Sequence, residues 1–216
     1  MRNVTAQVLW WAMAINGVLV AVYAIGVLLV PVVRAPFVSE RLIRMPLAVY
    51  AHLSGGAIAA GIGWLQFDAS LRERRLSLHR WLGRTYLIAV LIGGVGGLAL
   101  APVSQAGMVS HLGFGTLAVL WLFTGGRGYQ QIRAEDEIGH RRWMIRNYAL
   151  TYAAVTLRFL LGPALALGAP FGIAYPAISW VCWVPNLLIA EWLFVRPAGL
   201  SRRPPAETEE RLRSGR

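Results

Sequence analysis

From Thr85 to Gly126 the sequence contains no Arg, Lys, Asp or Glu, and only one histidine, His111. Backbone placed in lipid must satisfy its own hydrogen bonds, so a run of this kind is helical. It is also too long for one crossing, since a helix spans the hydrocarbon with about 20 residues. Pro102, Ser104 and Gly107 divide it into two. Residues 8–30 and 45–67 also lack formal charge, as does Phe159 to Ala190, where Gly168, Ala169, Pro170 and Gly172 supply a turn. The pattern predicts an all-α polytopic membrane protein. Its six spans fall at about 8–30, 46–67, 82–102, 109–126, 143–167 and 173–195, in one transmembrane domain over residues 1–196. The first apolar run exceeds the length of a signal-peptide core and has no clean small-x-small site after it, so it reads as a retained helix. Residues 197–216, rich in Arg, Glu and Pro, read as a disordered cytoplasmic tail.

A net charge of +11 in a soluble chain would point to nucleic acid. Here the distribution of charge excludes that class. All 21 basic residues are arginines. In a six-span chain, 17 of them fall on one face: Arg2, the group Arg72 to Arg84, the group Arg127 to Arg146, and the tail. The other face receives only Arg34, Arg41 and Arg44, and Arg158 lies inside span five. The positive-inside rule therefore predicts that both termini lie in the cytoplasm. The single cysteine, Cys182, excludes an internal disulfide and a cysteine metal cage.

Spans two and four share a phrase. His52-Leu53-Ser54-Gly55-Gly56-Ala57-Ile58-Ala59 parallels His111-Leu112-Gly113-Phe114-Gly115-Thr116-Leu117-Ala118. Spans three and five begin alike, with His79-Arg80-Trp81 set against His140-Arg141-Arg142-Trp143 after a one-residue gap. The histidines are 27 residues apart in the first pair of spans and 29 in the second, which fits a duplicated two-helix hairpin. Two such hairpins form a four-helix core with spans one and six outside it.

The chain has four histidines, and all of them anchor this repeat. One interfacial histidine is accounted for by water or a headgroup, but four in register ask for more. Neighbouring spans run in opposite directions, so His52 and His111 share one depth and His79 and His140 another. His52 lies about two turns inside span two, while His79 and His140 fall just outside spans three and five. Two imidazoles at equal depth on facing helices suit a six-coordinate haem iron. A single zinc or copper ion cannot join all four, because His52 is about 22 Å from the other end of its span at 1.5 Å per residue. Two separate ions would each lack ligands, whereas a porphyrin brings four nitrogens of its own.

The flanking residues extend the expectation. Gly56, Gly83 and Gly115 each follow a histidine by four residues, on the same helix face, where a side chain would collide with a flat ring. The competing account is close helix–helix contact through small residues. Met144 breaks the pattern after His140. Arg80, Arg84, Arg141, Arg142 and Arg146 surround the inner pair as candidate propionate partners, with Arg41 and Arg44 at the outer one. Arg158 reads equally as a haem-edge contact, a snorkelling cation or a structural partner.

Two resemblances follow from these residues. His52 through Gln66-Phe67, His79-Arg80-Trp81-Leu82-Gly83-Arg84-Thr85-Tyr86, and His140-Arg141-Arg142-Trp143-Met144-Ile145-Arg146-Asn147-Tyr148-Ala149-Leu150-Thr151 with Leu157-Arg158 resemble the bacterial membrane family catalogued as domain of unknown function 2306. The likeness covers about residues 48–160, and the third block is its most specific part. The four-histidine layout is also similar to the di-haem cytochromes b-561. That resemblance implies two haem b groups, one on His52 with His111 and the other on His79 with His140. No convincing ascorbate motif accompanies it. The expected function is a transmembrane b-type cytochrome, with a quinol or soluble reductant as donor and a quinone, ferric chelate or partner protein as acceptor. The alternative is a haem-free integral membrane protein, a small transporter or an assembly or scaffold component. A third version is a membrane-anchoring redox subunit of a partner enzyme.

Overall fold

A computed structural model describes residues 4–195, and every element in it is helical, with no strand among the described residues. The tail expected from residue 197, with Arg2 and the tail arginines, lies outside the described residues. Six helical segments are long and apolar enough to cross a membrane: Gln7–Leu29, Pro46–Phe67, Leu76–Val103, Met108–Arg133, Glu137–Ala166 and Phe171–Val195. Six crossings return the chain to the face on which it starts, termed here the terminal face.

The first helix, α1 (Val4–Leu29), is closed at its far end by Arg34, which donates to the carbonyls of Val27 and Leu28 at 2.7 and 2.6 Å. These are carbonyls the helix end leaves without an internal partner. A short helix, α2 (Pro36–Arg44), then lies at the opposite face. Pro46 starts α3 (Pro46–Gly63), where proline's missing N–H costs no helical bond. After a turn, Asp68 caps α4 (Ala69–Arg74), accepting from the N–H groups of Ser70 and Leu71 at 2.7 and 3.2 Å.

Helix α5 (Leu76–Leu100) starts six residues before the expected limit of 82, and α6 (Met108–Arg133) runs seven beyond 126. The turn between them contains Pro102, Ser104 and Gly107, and Ala106 and Gly107 both have positive φ, 63° and 85°. Asp136 caps α7 (Glu137–Thr151) by accepting from Gly139 N–H at 2.8 Å. Span five then breaks at Tyr152 and continues as α8 (Ala153–Ala166). Span six likewise breaks at Cys182 and Trp183, between α9 (Phe171–Val181) and α10 (Val184–Ala190), and ends in a π-helical turn over Glu191–Val195.

The closest pairings are α3 with α5 and α6 with α7, the two hairpins of the repeat. Contacts of α5 with α6 and of α3 with α7 complete the four-helix core. Helix α1 packs outside on α3 and α8, and α9 packs on α6 and α8. Glycine sets the α3–α5 approach. A Cβ on Gly55 would lie 2.5 Å from Gly93 N, and one on Gly96 would lie 2.6 Å from His52 N. Backbones meet this closely in membranes where small residues line the seam.

Candidate functional site

His79, His111 and His140 each occupy the fourth position of their helices, with N–H groups bonded to the carbonyls of Arg75, Gly107 and Asp136. His79 and His140 therefore lie within helices on the terminal face, not beyond them. His52 is the seventh residue of α3, at the opposite face.

A cavity of about 760 Å³ occupies the half of the bundle that holds His52. Roughly 300–1,000 Å³ is the range of cofactor and ligand sites. Its walls are mostly apolar and aromatic, among them Phe37, Phe114, Tyr175 and Trp121. Arg41 and Arg158 border it, and no Asp or Glu does. His52 is exposed and borders this space. Its Nδ1 is 3.0 Å from the carbonyl oxygen of Gly93, on the facing helix. An Nδ1–H held by a carbonyl leaves Nε2 as the free lone pair, the arrangement seen behind metal-bound imidazoles.

Room for that ring comes from Gly97. A Cβ there would lie 2.9 Å from His52 Nδ1 and 3.2 Å from its Cε1. Gly56 also borders the cavity, and a Cβ on it would meet nothing within 4 Å. The other two glycines singled out in the sequence serve packing instead. A Cβ on Gly115 would meet Ala101 Cβ at 3.7 Å, and one on Gly83 would meet Gln66 Oε1 at 3.2 Å.

His111 is placed differently from His52. Its Nε2 lies 3.0 Å from the carbonyl oxygen of Ser104, in the turn before its own helix. Ser104 and Phe114 border the cavity, but His111 itself does not, and its Nε2 is engaged by the Ser104 carbonyl. On the terminal face, His140 Nδ1 lies 2.8 Å from the Gly128 carbonyl oxygen on α6, repeating the His52 pattern in the second hairpin. His79 is close enough to His140 to interact with it electrostatically. Its Nδ1 is buried without a hydrogen-bond partner among the described residues.

The arginines divide by role. Arg80, Arg84 and Arg141 are exposed. Arg146 forms a two-pronged pair with Glu191 at 2.8 and 3.0 Å and lies over the Trp143 ring, 4.6 Å from its centroid. It is thereby committed to span six. Arg142 borders the same small polar recess as Arg146 and Glu191. At the other face, Arg44 pairs with Glu40 at 3.3 Å. Arg41 donates twice to the Val103 carbonyl, at 3.2 and 2.7 Å, tying α2 to the α5–α6 turn.

Between the two histidine levels lies a polar cluster that the sequence analysis did not identify. Asn147, fully buried, donates through Nδ2 to the Trp121 carbonyl at 2.7 Å and to Thr124 Oγ1 at 2.8 Å. Its Oδ1 accepts from the Tyr86 hydroxyl at 2.7 Å. Thr151 Oγ1 accepts from Trp121 Nε1 at 2.8 Å and lies 2.8 Å from the Tyr86 hydroxyl. The cluster joins α5, α6 and α7, and Trp121 and Thr151 also border the cavity. The available signal was the four-residue spacing of Asn147 and Thr151 in an otherwise apolar half-span.

Among the described residues no three of His, Cys, Asp and Glu converge as a metal cluster. The described residues thus offer one imidazole, His52, on an apolar cavity bordered by cations and no acids, and a second pair, His79 and His140, near each other on the terminal face. No curated protein and no solved structure matches the chain. The model of the family described as predicted membrane protein DUF2306 matches residues 49–194, and the chain belongs to that family.

Proposed function

We propose that this protein is a b-type cytochrome that carries electrons between the two faces of a bacterial cytoplasmic membrane. One haem b would take His52 and His111 as axial ligands, and a second would take His79 and His140. The observation that carries the proposal is the His52 ring, held by the Gly93 carbonyl with Nε2 free beside a cofactor-sized apolar cavity. The residues present fit such a group. Gly56 and Gly97 clear space, the walls are mostly apolar, and cations border the cavity. On the terminal face the support is the His140–Gly128 bond and the orphaned Nδ1 of His79. A bound haem would supply a one-electron ferric/ferrous couple, and burial and imidazole hydrogen bonds would tune its potential. The 17 arginines on the terminal face support placing both termini in the cytoplasm. Quinol or a soluble reductant as donor, and quinone, ferric chelate or a partner protein as acceptor, all suit this reading.

One observation favours the haem-free alternative, a small transporter or an assembly component. His111 Nε2 is already bonded to the Ser104 carbonyl and must leave it to become a ligand. Absorbance spectra of the purified protein, oxidised and dithionite-reduced, with a pyridine haemochrome count, separate the two readings. Two haems per chain, with one lost in His52→Ala and the other in His140→Ala, support the cytochrome. A colourless folded protein from haem-replete cells rejects it.

A further inference from the structure

Arg158 is a guanidinium inside span five, in the half of the bundle that holds the cavity. Such groups are expensive in a membrane and are normally met by an acid or a functional partner. Arg158 has no acid. The ion pairs recorded among the described residues join Arg41 and Arg44 to Glu40 and Arg146 to Glu191, and no Asp or Glu borders the cavity. Its recorded contacts are a 2.6 Å bond from Nη1 to the Ala154 carbonyl and the face of Tyr23, 4.7 Å from the ring centroid. Its Nε is buried without a hydrogen-bond partner among the described residues.

The group does not snorkel. Ala154 lies one turn back along α8, toward the membrane centre, so the bond to its carbonyl turns the guanidinium inward. Depth places it beside His52. At 1.5 Å per residue, Arg158 is about 12 Å from the opposite-face end of α8, and His52 about 9 Å from that end of α3. Arg41 is a poorer candidate to hold an anion, because Nε and Nη2 both serve the Val103 carbonyl and Nη1 lies 3.5 Å from Glu40. A planar cation with unspent donors on an otherwise apolar wall matches a carboxylate carried by an apolar body.

We infer that Arg158 holds a propionate carboxylate of the cofactor in the His52 cavity, so that its acidic edge lies against α8. The inference rests on the haem reading above and adds the residue that orients the group.

The test compares two porphyrins whose iron chemistry is shared. Full-length apoprotein from haem-depleted cells is titrated with haem b and with its dimethyl ester, in which both propionates are uncharged. Binding is followed by the bis-imidazole absorbance bands. The wild type should prefer the free acid by about ten- to hundredfold, the worth of a charge-assisted hydrogen bond in a dry site. Arg158→Gln should abolish the preference while leaving the ester's affinity and spectrum unchanged, and Arg158→Lys should keep part of it. Equal binding of acid and ester by the wild type overturns the inference, as does an unaltered preference in Arg158→Gln. If Arg158→Gln does not fold, the wild-type comparison still decides. Failure of the folded wild type to bind either porphyrin rejects the haem reading itself.

Discussion

Three glycines near the α3–α5 seam should respond to the same substitution in three different ways. In Gly55→Ala the new Cβ would lie 2.5 Å from Gly93 N, 2.6 Å from Ala89 O and 2.7 Å from Gly93 Cα, all backbone atoms. Ordinary contact begins near 3.4 Å, so the helices must part by almost 1 Å. Overpacking of this kind costs about 1–3 kcal/mol, and the helix preference of alanine returns up to about 1. In Gly97→Ala the obstacle is the His52 ring, 2.9 Å away at Nδ1. The ring can turn, losing its bond to Gly93 at a cost of about 1 kcal/mol, which the helix gain roughly cancels. In Gly56→Ala the Cβ enters open space, so stability should rise by about 0.5–1 kcal/mol. The single cysteine, Cys182, is fully buried, so a thiol-reactive fluorophore reports unfolding on heating in detergent. At about 2–4 °C per kcal/mol, Gly55→Ala should melt several degrees below wild type, Gly97→Ala near it and Gly56→Ala slightly above. On the haem reading, Gly97→Ala should nevertheless bind less haem than wild type. A Gly55→Ala protein as stable as wild type, or a Gly56→Ala protein that falls as far as Gly55→Ala, would refute the account of the seam.

Asn147→Ala removes three buried hydrogen bonds that cross between helices, at about 0.6 kcal/mol each in membranes, so it should cost about 2 kcal/mol in the same melting assay. Tyr86→Phe should cost less, and the double variant should fall short of the sum because the two side chains share a bond. Glu191→Ala leaves Arg146 half-buried without its partner and should destabilise by about 1 kcal/mol, with a coupling energy to Arg146→Ala that shrinks in high salt. Alkaline phosphatase fused between Ser104 and Gly107 should be active in a bacterial host, and green fluorescent protein fused at either terminus should fluoresce. The reverse pattern would reject cytoplasmic termini.

Scarcity of charge located the six crossings, with Arg146 and Arg158 the exceptions in span five, because a Born-type cost disfavours scattered ions in hydrocarbon and so marks where the lipid is. It could not mark where helices stop. Leu76 to Trp81 and Arg127 to Arg133 are too polar to be buried in lipid but remain helical in water, where nothing penalises their charges. Asp136 as a cap was the readable signal for the early start of α7. The break at Tyr152 was not readable, since no proline or glycine lies near it, whereas Pro185, which has no N–H to bond the Val181 carbonyl, marks the break at Cys182 and Trp183. Pro163 and Pro176 lie inside continuous helices.

The histidines show a second limit. A helix rises about 1.5 Å per residue but turns about 100°, so an error of one residue barely alters depth and swings a side chain by more than a quarter turn. The sequence could therefore assign His52 and His111 to one level and His79 and His140 to the other, while their azimuths stayed out of reach. His52 and His111 open matching phrases, yet one borders the cavity with Nε2 free and the other bonds the Ser104 carbonyl. Gly56 and Gly115 hold the same offset from them, yet the first opens on the cavity and the second on Ala101. The glycine that most closely governs the His52 ring, Gly97, lies on the facing helix, where no spacing along α3 could reveal it. Arg158 admitted three readings in sequence because its depth suited all of them, and the bond back to Ala154 turns its guanidinium toward the membrane centre. Pairing by depth is thus a necessary condition for the proposed cofactor, and the facing of the rings, set by contacts between helices, decides whether it is sufficient.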